Sequence, residues 1–322
     1  MKKIALVLLA GCAAAACSPQ IHLDFLGKDT LQEVVLVPSP AAEKILVLDV
    51  DGMISAFAPQ GAFAREGDIL SRMYYRLEQA AKDPSIKGII LRLDTPGGEV
   101  TASDILYHEI LRFKTKTKLP CVALVMSVAA SGGYYIASAC DAIIAHPTSI
   151  TGSIGVISVF PSVASLFDKV GVKMTVITSG AMKDSGSPFR TMTEEEKKSF
   201  QAVVDEYYED FLSVVAAGRK GRLTPEEIRP LADGRIYTAK QALKLKLIDE
   251  VGYFENALKK ILDLAGVKAA KVVSYTYFPK TKTNIYAAGM SGAPLLEKKS
   301  WEEWLPQLKT GFYYLWLPEA QR

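Results

Sequence analysis

A serine set among small residues carries the first chemical signal: Val128-Ala129-Ala130-Ser131-Gly132-Gly133-Tyr134-Tyr135 follows an apolar run. The pattern ends a buried strand at Met126-Ser127 and opens a helix of small residues over Ala129 to Ala139. Ser131 therefore belongs to the strand-to-helix turn. Small neighbours let a peptide backbone approach, and a helix start presents unpaired N–H groups and the positive end of a dipole. A developing oxyanion needs such donors. The plainer reading is a serine that caps a tightly packed helix. A second signal, Asp94-Thr95-Pro96-Gly97-Gly98, also joins a strand to a helix. Its glycines allow a strained turn and close approach of a ligand, although an ordinary turn has the same composition. Together the two loops could aim the N–H groups of Gly98 and Gly132 at a carbonyl attacked by Ser131.

A serine nucleophile needs a base. The three histidines give no obvious one: His22 falls in a linker, His108 within a helix, and His146 between a strand and Pro147. No triad order suggests itself. Lysine is the alternative. Ser179-Gly180-Ala181-Met182-Lys183-Asp184-Ser185-Gly186-Ser187-Pro188 is a small-residue loop with one lysine, which on residue types alone reads equally as a solvated surface group. No cluster with metal-ligand spacing is visible, and no cofactor is expected. The net charge of +3 without a basic stripe argues against nucleic acid as a partner.

The elements that must position these groups follow from the apolar pattern. Ile45 to Leu48, Gly88 to Leu93, Pro120 to Met126 and Asp141 to Ala145 read as buried strands. Helices are expected over about 64–82, closed by Asp83-Pro84, and from Glu99 onward. Strands alternating with helices indicate a largely parallel α/β core. Residues 193–265 are richer in helix signals, opened by Thr193-Glu194-Glu195-Glu196.

The N-terminus reads differently. Met1-Lys2-Lys3 precedes a run from Ile4 to Ala16 that is apolar or small apart from Cys12. This is the pattern of a bacterial export signal, shorter than the roughly 20 apolar residues of a membrane-spanning helix. Its ending in small residues and Cys17 marks a lipoprotein signal, with Cys12, in Leu9-Ala10-Gly11-Cys12, as the alternative lipidation site. Cys121 and Cys140 remain, in apolar strand-like segments; a disulfide between them is permitted outside the cytoplasm, but the sequence does not bring them together. Pro19, Pro38 and Pro40 mark a linker. Near the other end, Trp301, Trp304 and Trp316 stand beside Phe312, Tyr313 and Tyr314. This aromatic stretch could pack on a partner subunit, a groove, a membrane surface or the chain's own core.

Four motifs in order, Asp94 to Gly98, Ala130 to Tyr135, Thr151-Gly152-Ser153-Ile154-Gly155-Val156, and Ser179 to Asp184 with Ser187-Pro188, resemble the signal peptide peptidase A (protease IV) family, the serine peptidases of family S49. The resemblance spans roughly 43–265. It implies that Ser131 is the nucleophile, Lys183 the general base, Ser153 the hydroxyl that orients the lysine amine, and Gly98 and Gly132 the oxyanion donors. It also implies an α/β, crotonase/Clp-protease-like core of repeated β-β-α units with a helical C-terminal part, in the short single-core form. The domain reading is then 1–17 export signal, 18–42 linker, 43–265 peptidase domain and 266–322 extension. The family's short members form homo-oligomeric rings in which one subunit's serine meets its neighbour's lysine. Substrates would be cleaved signal peptides and other unfolded peptides, and the protein would be extracytoplasmic, tethered to a membrane by lipid where many members use a transmembrane anchor. To act as base, Lys183 must be neutral, which asks for a drop of about 3 units from about 10.4; Val156, Ile154 and Met182 are the expected apolar walls. Two competing readings are an acyl-CoA hydratase or isomerase of the same fold and a non-catalytic scaffold lipoprotein.

Overall fold

The computed structural model describes residues 31–56, 68–276, 285 and 311–316. The expected lipidation sites Cys12 and Cys17, together with Trp301 and Trp304, lie outside the described residues.

Continuous apolar runs set the main sheet. Ile45, Leu46, Val47, Leu48 and Val50 are all buried, as a strand covered on both faces requires. They form β2 (Lys44–Asp51), which pairs in parallel with β3 (Ile86–Thr95). β3 in turn pairs in parallel with β5 (Cys121–Ala130). Beyond β5 come β6 (Ala142–Ala145) and β10 (Glu250–Val251), both parallel. On the other side β11 (Lys271–Thr276) lies parallel to β2, and β1 (Gln32–Val37) closes that edge antiparallel.

β5 is long enough to serve two neighbours in turn. Val122–Val125 pair with β6, and Val128–Ala130 pair with β7 (Ile150–Gly152). β9 (Ile236–Thr238) extends this branch antiparallel to β7. A second sheet has the order β4-β12-β8, built from β4 (Gly97–Glu99), β12 (Gly311–Leu315) and β8 (Ile157–Val159).

Helices cover these sheets for local reasons. α1 (Ile69–Ala80) buries Ile69, Met73, Leu77 and Ala80, one stripe of an amphipathic helix. Asp68 caps it by accepting the Ser71 N–H at 2.9 Å, worth about 1 kcal/mol. α2 (Val100–Thr117) follows β4 directly, and α3 (Gly132–Ala137) follows β5. After α4 (Ala164–Lys169) comes α5 (Glu194–Gly218), opened by a capping box between Thr193 and Glu196. α6 (Pro225–Ile228), α7 (Ala239–Lys244) and α8 (Phe254–Ala265) complete the set. Phe254, Ala257 and Ile261 of α8 join Ile45, Ile90, Val122, Leu124 and Ile144 in one core cluster.

The mixed α/β architecture with a parallel-rich sheet agrees with the sequence reading, while several boundaries differ. Residues 32–37, expected within a linker, form β1 because β11 offers them a paired edge. β11 itself, expected in a separate extension, lies inside the main sheet. The helix expected from Ala129 starts only at Gly132, because pairing with β7 keeps Val128–Ala130 extended. Within residues 193–265, α5 to α8 are interspersed with the short strands β9 and β10, which return to the sheet. No helix among the described residues is long and apolar enough to cross a membrane.

The fold also brings Cys121 and Cys140 together, both buried, with sulfurs 2.8 Å apart and no bond between them. Burial, then the contact with Cys121, pushes the Cys140 thiol well up, which keeps it protonated and slow to react. A disulfide bond needs about 2.05 Å, so closure asks for a shift of under about 1 Å. Prolonged exposure to oxidised glutathione should link the two, read as a cross-linked peptide pair in a non-reducing digest. Closing a loop of about 20 residues should raise stability by about 3 kcal/mol. Two unlinked peptides after complete exchange would refute the closure.

Candidate active site

Ser131 sits between β5 and α3 with φ +52° and ψ −115°. Ser153, just after β7, has φ +50°. Left-handed backbone of this kind is uncommon outside glycine and costs on the order of 1–3 kcal/mol. The cause is visible in the register. Ala130 pairs with Gly152, so the two serines are the next residues along adjacent parallel strands. Ser131 N–H donates to the Gly152 carbonyl at 2.8 Å, and Ser153 N–H donates to the Arg235 carbonyl at 2.8 Å. Each chain is thereby turned sharply at the strand end. Both serines are buried, Ser131 to 1% exposure. The Ser131 side chain makes no capping hydrogen bond to α3, so the capping reading does not hold; its hydroxyl is left for other work.

Glycines close the corner around Ser131. Thr95 Oγ1 accepts the Gly97 N–H at 3.1 Å and tightens the turn after β3. A methyl group on Gly97 would lie 2.7 Å from Gly132 N, and one on Gly98 only 1.9 Å from the Ile54 carbonyl oxygen. One on Gly133 would meet Thr95 Cγ2 at 2.8 Å. Gly97, one residue before Gly98, is thus packed against Gly132 at one corner by backbone. The expected loop at Asp94 to Gly98 is instead two strand ends, stitched to β5 by Asp94, which accepts the Val128 N–H at 3.2 Å.

α3 is pinned from behind. Tyr134 donates its hydroxyl to the Leu247 carbonyl at 2.7 Å, and Tyr135 donates to Asp104 at 2.9 Å. Burial first, and for Tyr135 also the bond to Asp104, pushes both phenols up. They remain neutral donors, and the helix carrying Gly132 is held at both rings.

Lys183 is placed differently from its expected surroundings. It is exposed, and among the described residues no hydrogen bond joins it to Ser131 or Ser153. Of the expected apolar walls, Ile154 is buried and Val156 half-buried, but Met182 is exposed. Residues 171–183 lie open throughout, so the fold of one chain assembles no pocket around this amine.

The loop that carries Lys183 is nonetheless clamped. Arg190 donates to both Asp184 carboxylate oxygens at 2.8 Å and to Glu196 Oε2 at 2.9 Å. Glu196 also accepts the Thr193 N–H at 2.8 Å, tying the loop to the start of α5. The Arg190 guanidinium, followed by that N–H, holds the buried Glu196 carboxyl down at about 2, from an ordinary 4.5. A depressed folded value means that the clamp contributes fully above about pH 4.5 and is lost as pH falls through about 2. On the proposal below that Lys183 acts on Ser131, Arg190→Ala should lower turnover about tenfold or more by loosening its loop, with partial rescue by Arg190→Lys. Unchanged turnover in Arg190→Ala would mean that the clamp does not position the loop.

Three features escaped the sequence reading. One is the strain at Ser131 and Ser153. Another is Ser103, whose buried hydroxyl has no hydrogen-bond partner among the described residues and lies 2.4 Å from where a Gly132 methyl would be. The third is β12, which places Tyr314 opposite Gly98. Its aromatic, β-prone composition was a signal for a strand but not for its partner.

Comparison with known proteins accords with this corner. The model of "Peptidase family S49" matches residues 113–268, a span that holds Ser131, Ser153 and Lys183. A protein of Enterococcus faecium named "Putative signal peptide peptidase SppA" is 34% identical over 277 residues, covering 86% of this chain and 78% of the relative. "Protease 4" of Haemophilus influenzae is 29% identical over 265 residues, covering 81% of this chain and 42% of its own. "Serine protease SPPA, chloroplastic" of Arabidopsis thaliana is 30% identical over 246 residues, covering 76% and 36%. With a relative this similar along most of both chains, and with the family's model matched over residues that include Ser131 and Ser153, this chain belongs to peptidase family S49.

Proposed function

We propose that the chain is a serine endopeptidase in which Ser131 is the nucleophile and Lys183 the general base. The observation that carries this reading is Ser131 itself: a buried hydroxyl on a strained strand-to-helix turn, without a capping role, beside the glycine corner of Gly98 and Gly132. Neutral Lys183 takes the hydroxyl proton as Ser131 Oγ adds to a peptide carbonyl. The N–H groups of Gly98 and Gly132 receive the oxyanion. Lys183 then returns the proton to the departing amine, leaving an ester on Ser131. Water, deprotonated by the same lysine, hydrolyses the ester and restores the hydroxyl. Ser153 holds the lysine amine toward Ser131. The exposure of Lys183 in one chain supports a dyad completed between neighbours in a homo-oligomeric ring.

The same reading gives the sheet a crotonase/Clp-protease-like lineage and the chain a lipid tether at Cys17, or else Cys12. Cleaved signal peptides and unfolded segments would be substrates, the first in line with the name of the Enterococcus relative, a putative signal peptide peptidase. A serine-directed phosphonate probe tests the central claim. It should form a covalent adduct that maps to the Ser131 peptide in wild type and vanishes in Ser131→Ala; labelling of another residue, or none, would overturn the assignment.

A further inference from the structure

β3 and β5 fall out of step where they approach the glycine corner. From Leu93 to Thr95, β3 advances two residues, while β5, from Val125 to Ala129, advances four. The surplus of β5 is taken up at Met126 to Val128. Asp94 fastens it there, accepting the Val128 N–H at 3.2 Å and the Ser127 hydroxyl at 3.4 Å. Register resumes at Thr95, opposite Ala129, two residues before Ser131. The place where the serine turn begins is therefore set from β3.

Thr95 is fully buried, and its two branches reach different turns. Oγ1 accepts the Gly97 N–H at 3.1 Å, a local bond from a hydroxyl to backbone two residues on. Cγ2 lies 2.8 Å from where a methyl on Gly133 would be, and the Thr95 carbonyl oxygen 3.2 Å from the same point. That branch is packed into the first turn of α3. Gly97 has φ +97°, and a methyl on it would lie 2.7 Å from Gly132 N. Neighbouring backbone completes the setting. Ile54 N–H donates to the Gly97 carbonyl at 2.9 Å, and Glu99 N–H donates to the Ile54 carbonyl at 2.8 Å. In extended backbone successive residues bond to opposite sides, so these two bonds turn the Gly98 N–H away from Ile54. Gly132 opens α3, at a position whose N–H has no partner within the helix.

We propose that Thr95 is the positioning residue of the oxyanion site: one buried side chain that sets the turn at Gly97 and Gly98 through Oγ1 and the turn at Gly132 and Gly133 through Cγ2, and so fixes the two donors relative to each other. This deepens the peptidase reading and rests on it for the roles of Gly98 and Gly132. Thr95 acts through backbone, without touching the reacting atoms. A donor aimed at developing charge works only at hydrogen-bond distance from it. Freed from Oγ1, the Gly97 N–H turns toward another acceptor, and the Gly98 N–H, one residue on, turns with it. The loss is felt in the tetrahedral state and little in the bound substrate, which the rest of the peptide holds.

Two pairs of full-length variants isolate the hydroxyl. Thr95→Val exchanges Oγ1 for a methyl and keeps the branch toward Gly133, so it is compared with wild type. Thr95→Ala differs from Thr95→Ser by Oγ1 alone. Turnover is counted per Ser131 labelled at completion by the phosphonate, so that an unfolded fraction does not enter, and thermal unfolding accompanies each protein. In each pair the member without Oγ1 should lose about tenfold or more in kcat, with KM kept within about twofold. A peptide aldehyde reads the same site without turnover. Ser131 Oγ adds to its carbonyl carbon, the hydroxyl proton passes to Lys183, and the oxyanion stays in place because there is no leaving group. Aldehyde affinity should fall by the same factor as kcat. Equal kcat per labelled serine within the pairs would overturn the proposal, as would a loss carried by KM with aldehyde affinity unchanged. Should Thr95→Val fail to fold, the serine and alanine variants decide. Wild type that neither cuts peptide nor takes the phosphonate on Ser131 would remove the peptidase reading, and this role with it; wild-type turnover shared by every Thr95 variant would remove this role alone.

Discussion

Ser131→Ala should abolish peptide hydrolysis, by a factor on the order of 10⁴ or more, while the protein unfolds near its normal temperature. The separation of the two effects follows from what the side chain does. It makes no capping bond to α3, and its backbone N–H, which holds the turn against Gly152, is kept by alanine. Alanine also inherits the same left-handed strain, so the substitution removes an oxygen and little else. Hydrolysis of an unfolded peptide and a thermal melt on the same preparation read both quantities. Turnover above about one per cent of wild type in a correctly folded Ser131→Ala would remove this serine from the chemistry.

Mixing two inactive proteins should restore activity from nothing. Lys183→Ala removes the proposed base, and Lys183→Arg should be equally dead because arginine keeps its proton. Ser131 is buried beside Ser153, whereas Lys183 is exposed on an open segment. A neighbour's loop is therefore the more natural source of the amine. When Ser131→Ala and Lys183→Ala are dissociated, mixed and reassembled, about a quarter of the sites in a cyclic ring should regain both residues. Lys183→Arg in place of Lys183→Ala should give the same recovery, since the donor of the serine needs no lysine of its own. Mixed rings that stay inactive, with mixing verified by native mass, would place the dyad within one chain.

How much of this was legible beforehand depends on the range of the interaction. The alternation of β2, β3, β5 and β6 with helices could be read because each strand is a continuous apolar run. The start of α5 could be read because Thr193 and Glu196 satisfy each other three residues apart. Gly98 and Gly132 could be proposed as a pair because each follows a strand. The conformation of Ser131 could not, since it depends on Ala130 pairing with Gly152 across the fork of β5. The place of β12 depends on a still longer reach, from Tyr314 to Gly98. Nothing in a local pattern tells which two edges such a strand will pair with. The expected walls of Lys183 divide for a related reason: Ile154 is buried, whereas Met182 lies exposed on the open segment 171–183.

The glycine corner sets a limit for anyone who would redesign the enzyme. At Gly97, Gly98 and Gly132 even one added carbon would press on a backbone oxygen or nitrogen, or on the Ser103 hydroxyl, and main chain cannot step aside as a side chain can. A library randomised at those positions would be expected to return glycine. Variation has room elsewhere, where side chains reach solvent, as they do throughout 171–182. The glycine corner is a fixed frame, and any change would have to be made in its surroundings.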